Sequence, residues 1–244
     1  MTFDWSIFRE ALTSRAYAEG ALIAIALAAL SQASAAVIGL GIALIGRSPL
    51  RVLRLVALLW VWLFRAIPTL LQLLFVWNAL PQLIPSLREE WFTPFLAAWL
   101  TLSINESAYM AEIIRSGLNA VDKGQTLAGK TLGLRSGQVF RLIVLPQMVR
   151  VIIPATGNEF ISLLKLTALA SVISLRELLT VTSQQVAVNF RFAELYGAAA
   201  VWYMVIVSVF IVLQAQLERH YQWSSTRRAG IPGLRPQLAG ALNR

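Results

Sequence analysis

Five stretches of this chain are long and apolar enough to be membrane-spanning helices, and no other feature limits its fold as strongly. A bilayer core of about 30 Å is crossed by about 20 apolar residues in a helix. The stretches run over roughly Gly20–Ile45, Leu55–Leu80, Phe92–Ile114, Val151–Leu175 and Tyr196–Leu217. Only 14% of the 244 residues are charged and 57% are hydrophobic, against about 25% charged in a soluble domain. Much of the surface must therefore face something other than water. The reading is an all-α integral membrane protein with five transmembrane helices.

The formal net charge of +9 is explained by where the bases sit. The connection between the first two stretches carries Arg47, Arg51 and Arg54 and no acid. The connection between the third and fourth carries Arg115, Lys123, Lys130, Arg135, Arg141 and Arg150 against Asp122. The C-terminal segment carries Arg219, Arg227, Arg228, Arg235 and Arg244 against Glu218. The other ends balance base with acid, as at Arg88 with Glu89 and Glu90. Lys and Arg collect on the cytoplasmic side, so the N-terminus is expected outside and the C-terminus inside. A nucleic-acid partner is not needed to account for the charge. Residues 1–19 carry five charges and read as a periplasmic segment rather than a signal peptide. Residues 20–220 form the transmembrane domain, and 221–244 a cytoplasmic tail. There is no cysteine and one histidine, His220, which excludes disulfides, thiolate chemistry and a histidine zinc site.

Residues 124–131, G-Q-T-L-A-G-K-T, match the phosphate-binding pattern G-x-x-x-x-G-K-[ST]. That pattern works at a strand-to-helix turn of a soluble α/β sheet. Here Ser116–Lys123 is polar and continues from an apolar helix, so the match is a coincidence of letters. The cytoplasmic loop of about 116–150 is long for a helix connection, yet not disordered in composition. It is expected to form two short amphipathic helices separated by Gly133-Leu134-Arg135-Ser136, with Gly133 ending the first and Pro146 breaking the next segment. Ala128 and Gly129 are expected to be small so that the first helix can lie against a partner. Trp60, Trp62, Trp77, Trp91 and Trp99 read as an interfacial aromatic belt.

The same loop carries a resemblance. Gly124-Gln125-Thr126-Leu127-Ala128-Gly129-Lys130-Thr131-Leu132-Gly133-Leu134, followed by Phe140-Arg141-Leu142-Ile143-Val144-Leu145-Pro146-Gln147, resembles G-Q-x-E-A-A-x-x-L-G-L and F-R-x-I-x-L-P-Q. Those are signatures of the permease subunits of polar amino acid ABC importers, the histidine/glutamine/arginine permease-like family. Upstream, Ala108-Tyr109-Met110-Ala111-Glu112-Ile113-Ile114-Arg115 resembles A-Y-x-A-E-I-x-R, and Arg65-Ala66-Ile67-Pro68-Thr69-Leu70-Leu71-Gln72 resembles R-G-x-P-x-L-V-Q. Downstream, Asn158 with Phe160-Ile161-Ser162-Leu163-Leu164-Lys165 resembles N-x-F-I-x-L-L-K. The likeness covers roughly residues 18–220. The chain departs from the family at Leu127 (usually Glu), Gly129 (Ala), Leu166 (Asp) and Ala168 (Ser).

The resemblance implies a type I importer permease with a cytoplasmic coupling helix. It would work in the bacterial inner membrane as a dimer, identical or paired with a homologous subunit. A periplasmic or extracellular binding protein would deliver an amino acid or derivative. ATPase subunits would dock on Gly124, Gln125, Leu127, Ala128, Gly129, Lys130, Leu132, Gly133 and Leu134. The chain itself would be no enzyme and bind no cofactor; ATP and Mg would sit on the partner. Ionisable groups at membrane depth are functional candidates by default, the other reading being pairs between helices. The candidate substrate pathway comprises Arg65, Gln72, Asn105, Glu106, Tyr109, Asn158, Glu159, Ser162, Lys165 and Leu166. Gln72 and Arg65, seven apart, are expected to share a face, and Glu159, Ser162 and Leu166 to form a stripe. Asn105 and Asn158 suit an α-amino or α-carboxylate group. Glu112 and Arg115, three apart, are expected to pair. The rival readings are an ion-coupled secondary transporter or channel, and an NTPase using Gly124–Thr131.

Overall fold

The computed structural model describes residues 3–221, with side chains to Arg219. The tail expected at 221–244 and the side chain of His220 lie outside the described residues. Helix is the only regular structure among them. The order is α1 (Trp5–Thr13), α2 (Arg15–Ile45), α3 (Arg51–Ala66), α4 (Thr69–Leu74), α5 (Leu80–Leu83), α6 (Pro94–Asn119), α7 (Lys123–Thr131), α8 (Ser136–Val139), α9 (Leu145–Leu166), α10 (Leu178–Asn189) and α11 (Phe192–Tyr221). π-helical turns at Phe75–Ala79 and Phe140–Val144 join α4 to α5 and α8 to α9.

Three helices are long and apolar enough to cross a membrane: Arg15–Ile45, Ser136–Ile173 and Phe192–Arg219. A fourth crossing results if Arg51–Ala66 and Thr69–Leu83, bent by 98° at their junction, make one span. The second apolar stretch is thus a broken helix, not a rod. The third stretch, α6, is too polar to pass on composition, because it carries Asn105, Glu106 and Glu112. The expected pair of short cytoplasmic helices is also revised. α7 stands alone, whereas Ser136–Val139 runs through the π turn into the long helix ending at Ile173. Pro146 does not break that helix, which passes through it directly after the π turn at Phe140–Val144.

The bundle is built on α2 against α6. Gly39 lets the two backbones approach: a Cβ there would lie 2.9 Å from the Ala111 nitrogen and 2.9 Å from the Ser107 carbonyl oxygen. Gly20 plays the same part where α2 meets the start of α10, with Leu178 Cα 2.9 Å from such a Cβ. Small-residue contacts of this kind drive helix association in lipid, where burying apolar area brings no gain. The tryptophans mostly hold helices together. Trp60 donates to Ser107 Oγ (3.0 Å) and Trp99 to Ser34 Oγ (3.2 Å), while Trp77 stacks on Phe92. Only Trp62 and Trp91 of the five are exposed as a belt requires.

α1 is capped by Asp4, whose carboxylate accepts from Ser6 N–H and Oγ–H. Those bonds hold the Asp4 carboxyl below its ordinary range. Tyr17 donates to the Leu195 carbonyl (3.3 Å), and Asp4 N–H to Glu194 (3.0 Å), so α1 and α2 are pinned to the start of α11. Glu177 caps α10 by accepting from the N–H groups of Leu179 (2.8 Å) and Thr180 (2.7 Å) and from Tyr203 OH (3.0 Å).

Candidate functional site

The break between α3 and α4 follows from Pro68, which has no N–H and bars the residue before it from the helical region. Ile67 is accordingly extended, at φ −89° and ψ 129°. The break frees the carbonyls of Phe64 and Ile67 inside a membrane segment, where an unpaired carbonyl is costly. Two side-chain amides take them. Gln72 Nε2 donates to Phe64 O (3.0 Å) and Ile67 O (2.8 Å), and Asn105 Nδ2, from α6, donates to Phe64 O (2.9 Å). Thr69 Oγ1 donates to Asn105 Oδ1 (3.4 Å). Gln72 and Asn105 thus spend their amide donors on bracing the elbow. The expectation that Arg65 and Gln72 share a helix face fails, because the helix turns between them. Thr69 was not singled out from sequence; the signal was Pro68 beside it.

The ionisable candidates divide. Glu106 is buried at 3% exposure, and its Oε1 has no hydrogen-bond partner among the described residues. Glu159, half-buried on α9, lies within electrostatic range of both Glu106 and Arg65. The Arg65 guanidinium stands 5.2 Å from the centre of the Tyr109 ring. Arg65, Glu106, Tyr109 and Glu159 therefore form one neighbourhood between α3, α6 and α9. The rest lie differently. Asn158 accepts from Gln214 Nε2 of α11 (3.2 Å). Ser162 donates to its own helix at Asn158 O (3.1 Å). Lys165 is exposed and Leu166 half-buried. Arg115 and Glu112 form the expected pair, with Nε to Oε1 at 2.9 Å. No cluster able to hold a metal ion occurs among the described residues.

The expected docking feature is α7. Asp122 caps it by accepting from Gly124 N–H, and Gly133, at φ +82°, ends it in the left-handed region that favours glycine. Its N–H reaches Lys130 O (3.0 Å) and that of Leu134 reaches Gly129 O (3.1 Å). Gly129 is buried, and a Cβ on it would lie 2.6 Å from Ile143 Cδ1. Its small size serves contact with the chain's own long helix, not with a partner as expected. Gln147 Nε2 donates to Gln125 Oε1 (2.6 Å), a second tie between α7 and α9. Gly124, Gln125, Leu127, Ala128, Lys130, Leu132 and Gly133 are exposed and Leu134 half-buried, with Leu127 at 64% and Leu132 at 82%. The phosphate-loop letters thus sit in a helix whose N–H groups are used internally.

Residues 35–223 match the family described as binding-protein-dependent transport system inner membrane component. The chain is 39% identical over 235 residues to the arginine transport system permease protein ArgU of Corynebacterium glutamicum, covering 92% of this chain and 74% of that protein. It is 35% identical over 219 residues to the glutamine transport system permease protein GlnP of Escherichia coli, covering 90% and 98%. Among solved structures it is similar to a crystal structure of an amino acid ABC transporter with histidines, at a TM-score of 0.82, 34% identity and coverage of 90% and 100%. The methionine ABC transporter MetNI, at a TM-score of 0.70 and 19% identity over 84% of this chain and 96% of that one, shares the fold. The chain belongs to the family of binding-protein-dependent transport system inner membrane components, as a permease subunit of the ABC transporter type.

Proposed function

We propose that this chain is the membrane-spanning half of an ATP-driven importer of amino acids or their derivatives. The observation that carries the reading is α7. It is an exposed helix at the basic end of the bundle, locked to the long α8–α9 helix by Gly129 and Gln147 and so able to pass on a push from a soluble partner. ATPase subunits dock there and supply the hydrolysis, as separate chains. The relatives named for arginine and glutamine transport support an amino acid as the substrate class.

The chain crosses the bacterial inner membrane five times, with its N-terminus outside. α6 counts as a span: its 26 residues reach about 39 Å, and its polar groups face the bundle interior rather than lipid. Five helices enclose no pathway alone, so two permease chains pair, and a periplasmic binding protein delivers substrate. The Arg65, Glu106, Tyr109 and Glu159 neighbourhood, next to the Gln72–Asn105 elbow, lines the pathway. Its guanidinium and two carboxyl groups complement the carboxylate and ammonium of an amino acid.

The test is reconstitution of the chain with its ATPase in liposomes, with binding protein and radiolabelled amino acids outside and ATP inside. Uptake that needs internal ATP and the binding protein is expected. Uptake driven by an ion gradient without ATP would replace this reading with an ion-coupled one.

A further inference from the structure

Next to the proposed pathway, and sharing Arg65 with it, α2, α3 and α6 border a cavity of about 460 Å³ with an unusual charge balance. Three arginines line it, Arg54, Arg65 and Arg115, and a single acidic residue, Glu112. Arg115 already occupies that carboxylate. The Arg54 side chain makes no hydrogen bond or ion pair among the described residues. The rest of the wall is apolar, and Leu58 and Trp62 continue it outward as an exposed strip of α3, at 66% and 63% exposure. Arg54 lies in the first turn of α3, just after Arg47 and Arg51, and Arg115 lies near the end of α6. The opening is therefore at the basic, headgroup-level end of the bundle.

We propose that this cavity binds the headgroup phosphate of an anionic phospholipid of the cytoplasmic leaflet, with Arg54 and Arg115 as anion ligands and the acyl chains along Leu58 and Trp62. Three exposed arginines against one carboxylate that is already paired leave a positive surface that attracts an anion. A hydrophobic strip leading away from that charge calls for an amphiphile rather than a soluble ion. Basic pockets between helices on the cytoplasmic side are suited to such headgroups.

The full chain in phosphatidylcholine nanodiscs, doped with spin-labelled phosphatidylglycerol or spin-labelled phosphatidylcholine, tests the site. The anionic probe is expected to be immobilised preferentially. Arg54→Gln is expected to lower that preference about fivefold, the weight of one basic group near an anionic headgroup. Arg54→Lys is expected to keep most of it, and Arg88→Gln, at the opposite end of the bundle, to leave it unchanged. Equal immobilisation of the two probes, or an Arg54→Gln variant that matches the parent, overturns the proposal. Displacement of the lipid by millimolar inorganic phosphate overturns it in favour of a soluble anion site. The chain has no cysteine, so Leu58→Cys introduces a single thiol. Disulfide-linked dimers through that thiol overturn it in favour of a second copy covering this face.

Discussion

Gln72 and Asn105 show how a polar residue in a membrane helix can answer to backbone chemistry. Gln72→Leu removes the one side-chain donor to Ile67 O and one of two to Phe64 O. Leaving a buried carbonyl unpaired costs about 1–3 kcal/mol, so a thermal unfolding midpoint lower by several degrees is expected in detergent. An unchanged midpoint would mean that the elbow is held some other way. Glu106 is a different case: its Oε1 is buried and unpartnered, a cost kept without a structural return. Glu106→Gln is expected to leave the midpoint unchanged or raised and to cut ATP-dependent uptake at least about tenfold, the equivalent of about 1.4 kcal/mol. Intact uptake in this variant removes Glu106 from the pathway. The depth of Glu106 could be read from its place in an apolar run. The bonding of Gln72 and Asn105 could not, because their partners are carbonyls set free by a proline and sequence spacing says nothing of backbone acceptors. Likewise the contact of Gly129 with Ile143 joins residues 14 apart through a turn at Gly133, a path that no helical period describes.

At the scale of elements, α7 was legible because its amphipathic pattern and its terminal Gly133 are local signals, whereas its cap Asp122 emerged only from the structure. The continuation of α8 into α9 was not. Pro146 reads as a breaker, yet the helix continues from the π turn at Phe140–Val144 straight through it. The sequence likewise showed the second apolar run without showing its 98° bend. Gly129→Leu would drive a side chain into Ile143 and Val139 and lift α7 off the long helix. With the membrane helices untouched, substrate-stimulated ATPase of the assembled complex is expected to fall about tenfold, while the permease still purifies folded. Leu127→Glu places the family's usual residue on an exposed position. It is expected to change the isolated permease by less than about 0.5 kcal/mol, so any change in ATPase affinity reports the docking surface alone. Equal losses of stability in both variants would show that α7 is merely part of the fold.

For the whole molecule, the fold class and the apolar segments were readable from length and hydropathy, and the side on which bases collect gave an orientation. The native absence of cysteine makes that orientation easy to test. Glu10→Cys on α1 and Lys130→Cys on α7 both fall at exposed positions. In intact cells a membrane-impermeant maleimide is expected to label the first, and the second only after permeabilisation; the reverse pattern inverts the topology. α6 was the helix hardest to classify, since it is polar for a span and its polar groups turn inward. That position gives it a further role. Its lower end reaches α7 after only residues 120–122, and its middle grips the carbonyl of Phe64 through Asn105. About 39 Å of unbroken helix thus joins α7 at one end to the elbow near its midpoint. On the coupling role proposed for α7, a small tilt at that end would loosen or tighten the hydrogen bond from Asn105 to Phe64 O, which makes that bond the natural latch between power stroke and passage.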